Sequence, residues 1–414
     1  MRGRSCTLRV TNREGITIKI LFLTQICPYP PTNGGAIKSY NILKHLCSKH
    51  EVTLLTFVRS DKELKSLAHL SQYCRRVDSC LIKRSKLLNV YNAIRSLTAW
   101  RSFIIARDGC PGMQLRVFEL LRENPDLIYV DHLQMLQFIP RSVSCPVLLD
   151  DHNVEWRIIE RFAEASTSWT QSLFARIEWP RLKSYELRAC SRADVVLTVT
   201  PQDRDTLVSN GIPSGKVKSL PIGVDTEYFQ PLSQSPDSKR ILTFGTMAWP
   251  PNADAVSYFV KEVYPLIKQR VPDAQFSIVG ANPPPEIQEL GMADKSIEVA
   301  GFVDDIRKAA EDAAVFVVPL RVGSGMRVKI LDAMAMRLPI VTTSIGYEGI
   351  GLTPGEHALV ADTPTEFADA VTRLLTDAQE RQRIGSAGRK LVESAYSWPL
   401  ILRSLDDIIS HIGH

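Results

Sequence analysis

Short runs that are apolar throughout alternate along this chain with longer stretches whose apolar positions recur every three to four residues. ITIKILFLTQ (16–25) predicts a buried strand; a turn-rich CPYPPTNGG and a helix over 36–48 follow it. Next come a strand at 51–57, a long basic helical region to about residue 107, a helix at 114–123, and strands at 126–131 and 146–151. A long helical region then runs to about residue 190, before a strand at 193–200. The alternation restarts with KVKSLPIGVD at 216–225 and a Pro/Ser-rich linker. Strands follow at 240–247, 274–280, 296–303, 313–320 and 339–344, with helices at 253–271 and from about residue 326 to 337. A last helix is expected over 400–412. Fully apolar strands between helices are the signature of parallel sheets covered on both faces. The pattern predicts an α/β chain of two Rossmann-like, doubly wound domains facing across a cleft.

Length agrees: 414 residues make two large domains at roughly 150 residues each or somewhat more. The expected division is an extension at 1–15, a first domain at 16–215, a second at 216–395, and a helix at 396–414 crossing back to the first. Charged residues at 23% and hydrophobic residues at 44% exclude disorder and coiled coil as the main architecture. No run reaches the ~18 apolar residues of a membrane span.

Charge changes the picture more than composition does. The net charge of +5 conceals a first stretch, up to Arg107, with 19 basic and 5 acidic residues. Between Asp78 and Asp108 there is no acid, while Lys83, Arg84, Lys86, Arg95, Arg101 and Arg107 are cations. Leu87, Leu88, Val90, Tyr91, Ile94, Leu97 and Trp100 are spaced among them much as on an amphipathic helix. Residues 81–107 are therefore expected to meet an anionic membrane surface, a solvated or core-packing helix being the alternative. No nucleic-acid-binding module accompanies the patch. All eight cysteines lie at or before Cys190 without a CxxC pair, which predicts reduced structural thiols in a cytoplasmic protein.

The segment PLRVGSGMRVKILDAMAMRLPIVTT (319–343) carries the most chemistry. A strand ends, Gly323-Ser324-Gly325 turns, and a helix begins. Free N–H groups and the positive end of the helix dipole make such a junction an anion cradle. Arg327 and Lys329 stand in the expected first turn, where the dipole disfavours them by ~0.3–1 kcal/mol each. Two such departures in three residues suggest function. Lys329 and Asp332 share a helix face.

With the loop containing Gly34-Gly35, HNVE at 152–155, PIGVD at 221–225, YEGIG at 347–351 and YSW at 396–398, this segment resembles the group 1, family 4-like retaining glycosyltransferases of the GT-B fold. The resemblance spans about residues 18–398 and leans toward bacterial polysaccharide enzymes. It implies transfer of a hexose from a nucleotide-diphosphate sugar to a glycan or lipid-linked glycan, with retention, no cofactor and no metal. It places Gly34, Gly35, Gly245, Val303, Gly323, Ser324, Gly325 and Asp332 at the donor, and His152 beside the donor sugar. Asp131 and His132, ending the preceding strand, are expected at the acceptor. The family's paired glutamates are replaced here by Ser324 and Asp332, and its basic pair after the first strand of the second domain by Thr246 and Pro251. Arg327 and Lys329 are expected to supply the missing positive charge. Glu155 and Glu186 are expected to be helix-surface or interhelical residues, and Asp304 and Asp305 loop or cap residues. Two other readings are a nucleotide-binding protein that has lost turnover and a nucleotide-sugar 2-epimerase. A nicotinamide dehydrogenase does not fit, since no GxGxxG follows the first strand of either half.

Overall fold

The computed structural model describes residues 17–82, 96, 101–165, 168–233, 235, 237–323 and 325–412. Two wholly parallel sheets organise them. The first has seven strands: β1 (Lys19–Thr24), β2 (Glu51–Val58), β3 (Arg76–Leu81), β4 (Leu127–Asp131), β5 (Val147–Asp151), β6 (Val195–Thr198) and β7 (Val217–Ser219), in the order β3-β2-β1-β4-β5-β6-β7. The second has six: β8 (Arg240–Phe244), β9 (Gln275–Val279), β10 (Ile297–Gly301), β11 (Ala313–Val318), β12 (Ile340–Thr342) and β13 (Leu359–Val360), in the order β10-β9-β8-β11-β12-β13. In each, the order reverses beside the first strand, between β1 and β4 and between β8 and β11. The carboxyl ends at such reversal points form the crevices where open α/β sheets bind ligands.

The apolar runs become these strands because both faces are covered. β4, β5 and β11 are buried at every residue. Three differences from the sequence reading have physical causes. β3 lies inside the stretch expected to be helical; RVDSCL is half polar because, among the described residues, this edge strand pairs with β2 alone and is partly covered. The helix expected at 253–271 is two helices, Pro250–Tyr258 and Tyr264–Arg270, joined by a wide turn at Phe259–Val263. Pro265, lacking an N–H, cannot continue the ladder there. The third difference concerns the boundary at residue 216. β7 pairs with β6, so the first sheet extends past it, and the chain crosses between lobes after Ser219. The extension at 1–15 and most of the basic stretch 81–107 lie outside the described residues.

The helix Trp398–Ser410 returns to the first lobe. Trp398, Ile401, Leu405 and Ile409 join a core with Ile42, Leu43 and Leu46 of the helix Gly34–Lys49. Asp406 holds His45 at 2.8 Å and Lys49 at 2.6 Å. Gly223 makes this crossing close: a Cβ there would lie 2.6 Å from the Trp398 indole. Replacing Gly223 with Val should therefore lower stability by about 1–3 kcal/mol, read by urea unfolding. An unchanged midpoint would show that the indole can step aside.

Candidate active site

On the first lobe, parallel register lines up Thr24, Asp131 and Asp150 at the carboxyl ends of β1, β4 and β5. Asp131 is fully buried and satisfied from four sides. Its Oδ2 accepts from Thr24 Oγ1 at 2.6 Å and Ser39 Oγ at 2.7 Å, and lies 2.9 Å from His132 Nδ1. Its Oδ1 lies 2.8 Å from His152 Nε2. The two imidazoles stack with centroids 4.0 Å apart. Beneath them Asp150 accepts from Lys38 Nζ at 2.6 Å and Tyr129 OH at 2.7 Å, with Lys38 and Asp150 wholly buried.

This arrangement splits the two histidines electrostatically. Burial disfavours the His132 imidazolium, but Asp131 and then Asp150 outweigh it, and the pKa of His132 is raised. For His152, burial and the neighbouring His132 charge prevail, and its pKa is lowered. Burial works against the Asp131 carboxylate, yet the two imidazoles hold it well below the usual range. His132 Nε2 and His152 Nδ1 remain on the outer side, against the amino end of the helix Gly34–Lys49. A Cβ on Gly35 would lie 3.5 Å from the first and 3.6 Å from the second. That helix is capped by Asn33, whose side chain accepts from Ala36 N. With both oxygens engaged and no exposure, Asp131 positions the two imidazoles.

On the second lobe, Gly245 ends β8 with φ 150°. Gly323 (φ 148°) and Gly325 (φ 75°) bend the chain after β11 in conformations that favour glycine. The helix begins later than expected, at Val328, with Arg327 as its non-helical N-cap residue. That resolves a geometric difficulty, because residues two apart on one helix diverge by roughly 200°. Arg327 is buried and folds back to donate to Gly325 O. Lys329 stays on the helix and donates to Asn252 Oδ1 at 2.9 Å, close to Gly245. Burial, and then the Arg327 charge, push Lys329 down to about 7. Burial alone pushes Asp332 up to about 7. Val303 is partly buried, against the core beneath this helix. Ser324 lies outside the described residues.

The two halves meet. A Cβ on Gly34 would lie 3.3 Å from Val328 Cγ2, so the amino ends of the two helices face one another. A Cβ on Gly325 would lie 2.8 Å from Asn153 Oδ1, which puts the glycine bend against the residue after His152. Arg161 and Glu348 close one rim with hydrogen bonds of 3.1 and 2.8 Å. Gly34, Gly35, His132, His152, Gly325 and Arg327 are thereby brought to one interlobe gap.

Sequence reading missed Lys38, Ser39, Asp150 and Asn252. A lysine and serine just inside a helix that starts with two glycines, facing a strand ending in Asp-Asp, were the available signal. Of the two glutamates expected at helix surfaces or between helices, Glu186 takes the interhelical place. Glu186 is fully buried and accepts from the N–H groups of Glu155 and Trp156, capping the helix Glu155–Ala165. Burial raises Asp151, Glu155 and Glu186, a second carboxylate group behind β5. Asp305 does cap the helix Ile306–Ala310. Among the described residues, Asp131, His132 and His152 offer ligand atoms within 4.8 Å of one another, as a metal site would. In this structure His132 Nδ1 and His152 Nε2 are hydrogen-bond partners of Asp131, and the other nitrogen of each ring faces Gly35.

Two reversal-point crevices set face to face make a two-lobed α/β architecture with its candidate ligand site between the lobes. The GT-B architecture is borne out by solved structures. HepE from Anabaena, determined in complex with UDP, superposes with a TM-score of 0.66 at 14% identity, over 95% of this chain and 100% of that one. Sucrose-phosphate synthase from Thermosynechococcus elongatus gives 0.67 at 16% identity, over 95% and 98%. A family model described as glycosyl transferases group 1 matches residues 238–377, and one described as glycosyltransferase family 4 matches 32–228. Between them they span both lobes, and the chain belongs to the family 4-like group 1 glycosyltransferases. It is 22% identical to an uncharacterized 44.6 kDa protein in the cps region of Klebsiella pneumoniae, over 94% of this chain and 98% of that protein. It is 28% identical to a GDP-mannose-dependent alpha-(1-6)-phosphatidylinositol monomannoside mannosyltransferase of Mycobacterium tuberculosis, over 60% of this chain and 71% of that protein.

Proposed function

We propose that this nucleotide-sugar glycosyltransferase moves a hexose, with retention, onto a hydroxyl of a glycan or lipid-linked glycan of a bacterial polysaccharide. The observation that carries the reading is the meeting of the Gly34 and Val328 helix amino ends beside Arg327 and Lys329. A departing nucleoside diphosphate gathers negative charge, and oriented N–H groups with fixed cations stabilise it as it forms. Gly323 and Gly325, which flank Ser324 in the sequence, bring backbone to the phosphates, Gly245 and Val303 border the nucleoside, and Asp332 accepts from ribose hydroxyls. His152, held by Asp131, lies beside the donor sugar; the outer nitrogen of His132 faces the acceptor. The leaving phosphate receives the acceptor's proton. In this reading the cations and N–H groups supply the charge stabilisation, and neither metal nor cofactor is required. The cytoplasmic face of a membrane, met through residues 81–107, is the proposed place of work; absence of flotation with anionic vesicles at low salt would remove that part.

The test is a panel of nucleotide sugars, GDP-mannose and UDP-glucose first, with proton NMR of the products. A new glycoside with the donor's anomeric configuration supports the proposal. Inversion would overturn retention, a C2 epimer would select the epimerase reading, and binding without turnover would select the degenerate one.

Donor binding should also move protons. Near pH 8 the free Lys329 is mostly neutral, and contact with the diphosphate charges it, so a proton is taken up. Near pH 6 Lys329 is already charged, while Asp332 is mostly protonated and must ionise to accept from the ribose, so a proton is released. Calorimetry in buffers of differing ionisation enthalpy should show this reversal of sign. Equal slopes at both pH values would refute these assignments.

A further inference from the structure

Four cysteines meet in pairs: Cys80 Sγ lies 3.2 Å from Cys110 Sγ, and Cys47 Sγ 3.6 Å from Cys74 Sγ. We propose that Cys80 and Cys110 form a reversible disulfide that closes a ring around residues 80–110. The sulfurs must approach by about 1.2 Å to reach the bond length of ~2.04 Å. The surroundings allow it. Cys80 lies on β3, which among the described residues is an edge strand paired with β2, and Cys110 precedes the helix Pro111–Leu121 as its N-cap residue. Both are partly exposed, whereas Cys74 of the other pair is buried. Gly112 leaves room for the sulfur, since a Cβ there would lie 3.2 Å from Cys80 Sγ.

Burial and the neighbouring Cys110 thiol raise the Cys80 pKa, so the reaction needs a proton to leave the pair before a thiolate can attack. The oxidant is a small-molecule disulfide of the glutathione class. One of the two cysteines loses its proton, attacks one of the oxidant's sulfurs as thiolate and expels one thiol, giving a mixed disulfide. Its neighbour then loses its own proton, attacks the protein sulfur of the mixed disulfide and expels the second thiol, leaving the Cys80–Cys110 bond. Two protein thiols are oxidised as one external disulfide is reduced.

The enclosed segment is the acid-free run with its six cations, Lys83 to Arg107. Its root is tied to the loop after β1: Asp108 Oδ2 accepts from Gln25 Nε2 at 2.6 Å, and Gln25 directly follows β1. Oxidation would thus fasten both ends of the basic run at the cleft side of the first sheet. The proposal stands apart from the transferase reading, because its test reads covalent linkage and not turnover.

The full-length protein is equilibrated in graded mixtures of reduced and oxidised glutathione, quenched with an alkylating reagent, digested and mapped by mass. A peptide joining Cys80 to Cys110 should appear toward the oxidised end and vanish with dithiothreitol. Cys80→Ser and Cys110→Ser should each lose it. Both cysteines alkylated singly in glutathione disulfide alone, or joined to other partners, would overturn the proposal.

Discussion

Replacing Arg327 and Lys329 together by alanine is expected to slow turnover by at least about 10²–10³-fold and to weaken nucleoside-diphosphate binding. That range is the loss seen when one preorganised donor to a developing anion is removed. The two cations reach the gap by different routes. Arg327 leaves the helix as its cap residue and curls back over the glycine bend. Lys329 stays within the helix and leans toward Gly245. Arg327 also shapes the bend, so the single variants separate chemistry from architecture. Lys329→Ala should keep its melting temperature and lose rate. If Lys329→Ala turns over at the parent rate and only Arg327→Ala is impaired, the lysine has no part in charge stabilisation.

The largest effect on stability should come from Lys38→Met. Lys38 and Asp150 are wholly buried at 2.6 Å, and removing the cation strands a carboxylate away from water. Deleting one partner of such a pair costs about 3–5 kcal/mol. The double variant Lys38→Met with Asp150→Asn removes both charges and should recover part of the loss. Urea unfolding of all three proteins decides this. A single-variant loss below about 1 kcal/mol would mean that Tyr129 and nearby imidazoles suffice for Asp150.

Much of the architecture was legible because fully apolar strands and glycine-led helix starts are local signals. ITIKILFLTQ, DLIYVD and AAVFVVPL declare buried parallel strands without reference to anything distant. β3 was hidden because an edge strand needs no apolar run. At the site, the glycine bend, Gly34-Gly35 and His152 could be named from sequence, since turn chemistry and strand ends are written locally. The network around Asp131 could not. Thr24, Ser39 and His152 come from three separate segments, and only the sheet's register and the packing of the helix Gly34–Lys49 bring them to the carboxylate next to His132. The same holds for Lys38, whose partner lies 112 positions away. The late start of the Val328 helix was invisible for a different reason: caps depend on backbone angles that composition does not specify.

The return of the helix Trp398–Ser410 to the first lobe has a consequence for biosynthesis. Ile401, Leu405 and Ile409 fill core positions against Ile42 and Leu46, which are translated more than 350 residues earlier. While the polypeptide is being made, the amino-terminal half waits on the ribosome with that apolar surface open. Its last piece of core is delivered only when synthesis has passed residue 410, after the second lobe has had time to form.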